Sequence, residues 1–156
     1  MSQIFLIPVD DSEIALRPVS WVVQNLPTWC ELPTIHLLNV QASLPSDISR
    51  FIDGDTIRDF HLESGMKVLS KARDPLVAAG LRPELHVLVG EAAPTITEFA
   101  DIHGCSQILV GTRGHTGMFG TLLGSVAAKV VHLSNVPVLL IRQGNDHVRP
   151  FARTTP

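Results

Sequence analysis

Short apolar runs alternate with longer stretches of helical spacing along most of this chain. The runs are rich in branched residues and nearly continuous, which is typical of strands covered on both faces of a parallel sheet. They occupy residues 4–9, 35–40, 85–89, 108–110 and 136–141. Because strands alternating with helices imply right-handed βαβ crossovers, the pattern predicts a three-layer α/β/α sandwich around a five-stranded parallel sheet.

Capping residues and prolines mark where the intervening helices should begin and end. Helix N-caps are predicted at Ser12, Thr95 and Ser125, and helix ends at Gly80 and Gly104. Pro18 and Pro75 fall inside predicted helices, and each should kink or interrupt its helix.

The length of 156 residues and a hydrophobic share of 45% suit a single domain spanning residues 1–156. Its core is expected at about 3–142, followed by a loosely held surface tail at 143–156 that carries no predicted chemistry. The polar segment 41–55 predicts a long loop after the second strand.

Composition excludes several classes of partner. A net charge of −3 gives no electrostatic reason to bind nucleic acid or an anionic membrane. No apolar run approaches the roughly 20 residues that a membrane span needs, and the N-terminus does not resemble a signal peptide. A cytoplasmic protein is therefore predicted, with Cys30 and Cys105 as buried, reduced thiols.

The seven histidines show no HxH or HxxxH spacing, so no zinc site is predicted. His36 and His86 are expected on strands, where each faces a polar partner or solvent. His115 is the histidine placed to touch a ligand, because it lies in a glycine-rich loop.

That loop follows the fourth predicted strand and carries the strongest chemical signal. Its glycines are Gly111, Gly114, Gly117, Gly120 and Gly124. Glycine permits positive φ and lets backbone N–H groups approach an anion, and ligands bind at the carboxyl ends of parallel strands. The helix predicted after Ser125 adds free N–H donors and a partial positive charge, and Arg113 could add a cation. The loop therefore predicts a phosphate site.

This loop differs from the two common phosphate motifs. A Walker A loop needs a lysine after its last glycine, and no lysine follows Gly124. The dinucleotide fingerprint GxGxxG is absent too, and it would follow the first strand rather than the fourth.

The loop's spacing resembles a family signature. Gly111, two residues, Gly114, nine residues and then Gly124 and Ser125 match the G-2x-G-9x-G-(S/T) pattern of the ATP-binding branch of the universal stress protein family. Ile-Pro-Val-Asp-Asp-Ser at 7–12 resembles that family's first strand and turn. Residues 89–94 resemble its third strand and turn, and residues 135–141 its closing strand. The resemblance covers residues 3–142.

The resemblance implies the strand order 3-2-1-4-5 and a site for ATP with Mg²⁺. The adenine would lie against Pro8, Val9 and Val40, and the ribose and phosphates against Val110, Gly111, Gly114, Gly124, Ser125 and Val126. Arg113 is placed near the phosphates by the loop alone, and a solvated side chain is an equal alternative there. Asp10 would lie near the ribose and a phosphate-bound Mg²⁺, although it could instead cap the first helix or close a turn. Asp11 departs from the family pattern and would repel phosphates unless Mg²⁺ intervenes or its carboxylate points away.

The resemblance also implies a homodimer that pairs its last strands, from Val136 to Ile141. The implied function is an ATP-binding regulatory protein of the stress response. One alternative is a slow Mg²⁺-dependent ATPase or phosphotransferase, with Asp10 or Asp11 holding the metal and Arg113 offsetting charge. A second alternative is a dimeric interaction module that does not use nucleotide.

Overall fold

The computed structural model describes residues 3–112 and 123–142. Its strands are β1 (Ile4–Pro8), β2 (Thr34–Gln41), β3 (Glu84–Val89), β4 (Gln107–Gly111) and β5 (Val138–Ile141). All pairings are parallel and the order is β3-β2-β1-β4-β5. The predicted α/β class and strand order are confirmed.

Helices cover both faces of the sheet. They are α1 (Arg17–Asn25), α2 (Ser46–Ser49), α3 (Gly54–Ala78), α4 (Ala92–Ile102) and α5 (Ser125–Leu133), with 3₁₀ turns at Glu13–Leu16 and Leu26–Thr28. Alternation along the strands divides the core into two clusters. Leu37 packs in the cluster of α1 and α3, whereas its neighbour Leu38 packs in the cluster of α4 and α5.

Several predicted helix boundaries hold and others are wrong. Gly80 and Gly104 adopt φ of +88° and +61° just after α3 and α4, as predicted for helix ends. Thr95 lies inside α4, because that helix begins three residues earlier. Ser125 is the first residue of α5 rather than its cap. Ser12 holds the N-cap position of the first 3₁₀ turn without a side-chain capping bond.

The two prolines differ in their effect: the predicted first helix is divided into a 3₁₀ turn and α1 next to Pro18, whereas α3 runs through Pro75. Pro18 falls in the first turn of α1, where the missing N–H has no intrahelical partner to lose. Pro75 does not interrupt α3, which continues to Ala78.

The segment 41–55 is less irregular than predicted. It contains α2 and the start of α3, whose N-cap Asp53 accepts bonds from the backbone N–H groups of Asp55 and Thr56, both at 3.0 Å. The last strand begins at Val138, two residues later than predicted. Cys105 is buried as expected, but Cys30 is exposed, which corrects the prediction of two buried thiols.

Within residues 3–112 and 123–142, no helix is long and apolar enough to cross a membrane. The predicted tail at 143–156 lies outside the described residues, and a cytoplasmic location stays a prediction.

Candidate functional site

A cleft of about 310 Å³ opens at the carboxyl ends of β1 and β4. The chain moves from β1 to β2 on one side and later crosses to β4 on the other, so this is the switch point of the sheet. The lining includes Pro8, Val9, Asp10, Val40, Val110, Gly111, Gly124, Ser125 and Val126. Nine residues named from sequence therefore meet in one cleft. Arg113, Gly114 and His115 lie outside the described residues.

The end of β1 is fixed by hydrogen bonds from β2. The backbone N–H of Val9 donates to the carbonyl of Leu38 at 2.8 Å, and the Asn39 side chain donates to the Val9 carbonyl at 2.8 Å. Asn39 is buried, and its side-chain oxygen Oδ1 accepts a hydrogen bond from the side-chain amide Nε2 of Gln41 at 2.6 Å. Because both backbone groups of Val9 are engaged, it offers the cleft apolar surface rather than hydrogen bonds.

Asp10 closes a turn at the mouth of the cleft. Its Oδ1 accepts from the Ser12 backbone N–H at 2.9 Å and also from the Ser12 hydroxyl. This is the side-chain turn that Asp characteristically forms two residues before its partner. Asp10 therefore closes a turn, which was one of the alternatives for this residue. Its exposed carboxylate also lines the cleft.

Asp11 points away from the cleft. Its Oδ1 accepts from the Lys71 ammonium of α3 at 2.8 Å, and this hydrogen bond and charge hold the pKa of Asp11 below its ordinary value. The described residues that line the cleft do not include Asp11. Asp11 was expected either to need Mg²⁺ between its carboxylate and the phosphates or to point away from them. The structure shows the carboxylate pointing away from the cleft.

The start of α5 provides backbone donors to the cleft. The first intrahelical bond at this end runs from the Ala128 N–H to the Gly124 carbonyl, at 2.9 Å. The N–H groups of Ser125, Val126 and Ala127 precede that bond, as helix geometry requires, and all three residues line the cleft. The partial positive charge of this nine-residue helix therefore faces the cleft.

Of the two reasons predicted for the loop's glycines, positive φ does not apply to Gly111 and Gly124; among the described residues only Gly80 and Gly104 adopt it. At Gly111, an added Cβ would stand 2.0 Å from the carbonyl oxygen of Ile14. At Gly124, an added Cβ would meet nothing within 4 Å. Packing therefore requires glycine at position 111, whereas the glycine at 124 leaves open space beside the cleft.

Sequence reasoning missed a cation at the end of β4. The Arg17 guanidinium donates to the carbonyl of Thr112, the residue after the strand. Thr112 is almost fully buried, and its hydroxyl oxygen has no hydrogen-bond partner among the described residues. Arg17 was not identifiable because the contact joins positions 95 residues apart.

A second polar cluster lies on the α4 side of the sheet, toward the amino ends of β2 and β3. His36 Nδ1 is 3.0 Å from His86 Nε2, and Glu84 Oε2 is 3.6 Å and 3.9 Å from these two nitrogens. Burial lowers the pKa of both His36 and His86, and Glu84 opposes that effect. The expectation that each histidine faces a polar partner is confirmed. The grouping itself was not predicted, since local spacing does not show which strands pair.

The sheet order and the switch-point cleft define a doubly wound α/β protein with a ligand-sized cleft. Residues 1–142 match the profile of the Universal stress protein family, and the chain belongs to that family. The chain is 39% identical to universal stress protein YxiE of Bacillus subtilis over 88 residues. This aligned region covers 56% of this chain and 60% of YxiE.

Solved structures with this fold include the following two. MJ0577 of Methanocaldococcus jannaschii superimposes with a TM-score of 0.74 and 25% identity, covering 93% of this chain and 99% of that one. A universal stress protein in complex with cAMP superimposes with a TM-score of 0.59 and 25% identity, covering 89% of this chain and 95% of that one.

Proposed function

We propose that this chain binds ATP, together with Mg²⁺, in the cleft at the carboxyl ends of β1 and β4. In this proposal, nucleotide occupancy regulates a conformation or a partner surface in the stress response. The observation that carries the proposal is the meeting of apolar strand ends with the N-terminus of α5 in one cleft. A nucleotide has the same two-part character, with a flat base at one end and anionic phosphates at the other.

The strand ends suit the base. Pro8, Val9, Leu38, Val40 and Val110 give the inner part of the cleft an apolar lining. Its volume of about 310 Å³ lies at the lower end of the roughly 300–1,000 Å³ typical of small-molecule sites. A protein of the same fold is in complex with cAMP, which also carries adenine. We assign the adenine to this apolar part.

The α5 end suits the phosphates. Free N–H groups at Ser125, Val126 and Ala127 and the dipole of α5 favour an anion. The open space at Gly124 leaves room for phosphate oxygens. We assign further donors to Arg113 and Gly114. Asp10 would share Mg²⁺ with the phosphates, since Mg²⁺ prefers a carboxylate or two plus phosphate oxygens.

The cleft is better suited to holding ATP than to hydrolysing it quickly. Among the described residues that line it, Asp10 is the one with an ionisable side chain, and it already closes a turn. Rapid phosphoryl transfer needs a positioned water or acceptor and cations on the transferred group. A slow Mg²⁺-dependent ATPase or phosphotransferase is the alternative, and Asp10 is the residue it would use for the metal.

Titration calorimetry of nucleotide-stripped protein with MgATP tests the proposal. Gly124→Leu places a side chain in the open space beside the cleft, and ATP affinity should fall at least tenfold while the circular dichroism spectrum is kept. Gly54→Leu is the matched control, because a Cβ there also meets nothing within 4 Å. Wild-type protein that ignores millimolar ATP, or a Gly124→Leu variant with wild-type affinity, would refute the proposal.

We also propose that two copies pair through their last strands. β5 bonds to β4 on one side and is an edge of the sheet, and Leu140 in it is 38% exposed. An exposed apolar edge invites pairing with another strand. Sedimentation should show a dimer that Leu140→Lys weakens. A dimer unaffected by this change would contradict pairing through β5. A dimer in protein that binds no nucleotide would favour the nucleotide-independent module.

A further inference from the structure

Strand pairing brings two imidazoles and a carboxylate together on one face of the sheet. Glu84 and His86 are two positions apart in β3 and therefore project to the same side. The parallel register places His36 of β2 directly opposite Glu84. One ligand atom from each of the three residues lies within 4.8 Å of the others.

We propose that His36 Nδ1, His86 Nε2 and a Glu84 carboxylate oxygen bind one Zn²⁺ ion, with water in the fourth position. Zinc bonds of about 2.0–2.2 Å in a tetrahedral arrangement hold ligand atoms roughly 3.3–3.6 Å apart. The three separations here are 3.0, 3.6 and 3.9 Å, so shifts of a few tenths of an ångström complete the geometry.

The donor set selects the class of metal. Two imidazole nitrogens with one carboxylate suit zinc and its transition-metal neighbours, whereas Mg²⁺ and Ca²⁺ prefer oxygen donors alone. A hydrogen bond between the two rings would explain the shortest distance by itself. It would not explain why Glu84 Oε2 lies within 4 Å of both ring nitrogens.

The rings are held in place before any ion binds. Phe99 of α4 packs against His86 with ring centroids 4.7 Å apart, and it stacks on His103 at 3.7 Å. His103 Nδ1 in turn bonds to the Phe99 carbonyl, 3.0 Å away. Preorganised ligands lose little conformational freedom on binding. The Glu84 side chain is 59% exposed, which leaves the ion a route from solvent.

The proposed zinc site is independent of the proposed nucleotide site. His36 and Val40 lie on one face of β2, four residues apart, which separates them by about 13 Å at roughly 3.3 Å per residue. Zinc binding is therefore tested without nucleotide, which also avoids chelation of the metal by phosphates. Failure of ATP binding would leave this proposal unaffected.

The test is titration of the full chain, stripped of metal by a chelator and of nucleotide by dialysis, with Zn²⁺. One equivalent should bind tightly and raise the melting temperature, and Mg²⁺ should not compete. Co²⁺ in place of zinc should give the intense visible bands of tetrahedral coordination. Wild-type protein that binds no Zn²⁺ at micromolar concentration would overturn the proposal.

Variants locate the ion. His86→Gln and Glu84→Ala should each weaken Zn²⁺ binding by more than the about 10–100-fold that loss of an outer-shell partner costs. Glu84→Ala guards against misfolding, because this side chain is largely exposed. His132→Gln, on the exposed face of α5, is the matched histidine control and should bind like wild type. Wild-type affinity in both Glu84→Ala and His86→Gln would place the ion elsewhere and refute the site.

Discussion

The carbonyl oxygen of Ile14 occupies the space that a side chain at Gly111 would need, 2.0 Å from an ideal Cβ position. The 3₁₀ turn after β1 thus packs directly on the end of β4. This contact fixes two segments that line the cleft, and it gives the first glycine of the loop signature a structural role. Backbone atoms cannot move aside as the end of a flexible side chain can.

Gly111→Ala should therefore lower the free energy of unfolding by about 1–3 kcal/mol, the usual cost of forcing extra volume into a packed site. Urea denaturation measures the change. Gly54→Ala is the control, because its Cβ meets nothing within 4 Å, and it should leave stability unchanged or slightly raised. Equal stability of Gly111→Ala and wild type would show that the Ile14 carbonyl can move to make room for a methyl group at position 111.

Local signals in the sequence predicted the strands and two of the helix ends. Branched apolar runs predicted all five strands, and Gly80 and Gly104 marked two helix ends, because these depend on neighbours in the chain. Thr95 was misassigned as a cap because a capping residue within a helix looks the same in sequence. The start of that helix is set where the chain leaves β3, not by Thr95 itself.

Contacts between distant positions were not predictable in the same way. Lys71 neutralises Asp11 from 60 positions away, and His36 meets His86 from 50 positions away. The register of paired strands and the packing of α3 decide both contacts, and neither can be read from spacing along the chain. The residues around the cleft were named from the glycine-rich loop and from the family resemblance, and they meet because strand ends in a parallel sheet converge.

The two neighbouring aspartates should differ in their effect on nucleotide binding. Asp10→Asn should weaken MgATP binding and reduce its dependence on Mg²⁺, since Asp10 lines the cleft. Asp11→Asn should change neither, because that carboxylate is paired with Lys71. Calorimetric titrations at two Mg²⁺ concentrations provide the comparison. A larger effect from Asp11→Asn would mean that the ion pair opens when nucleotide binds.

The two cysteines should react very differently with thiol reagents. Burial raises the pKa of Cys105 to about 11, so almost none of its thiolate is present at pH 8, whereas Cys30 is exposed. Because the thiolate is the nucleophile, native protein at pH 8 should take up one equivalent rapidly and a second only in denaturant. Mass spectrometry of the alkylated protein counts the labels. Rapid labelling of native Cys30→Ser would contradict the burial of Cys105.

Gly65 lies in the middle of α3, where alanine would ordinarily strengthen a helix by roughly 0.8–1 kcal/mol. Here an added Cβ would come within 2.5 and 2.6 Å of the two methyl carbons of Val87, and 3.1 Å from Asn39 Oδ1. Overpacking costs about 1–3 kcal/mol, which exceeds the gain in propensity. Gly65→Ala should therefore be destabilising in urea denaturation.

The same substitution should change sign when the space is opened. In a Val87→Ala background the methyl carbons are gone, so Gly65→Ala keeps its gain in helix propensity and should become stabilising. The double-mutant cycle should then show a coupling within the 0.5–3 kcal/mol range seen for residues in contact. Equal effects in both backgrounds would trace the loss to Asn39, the side chain that holds Val9 at the cleft.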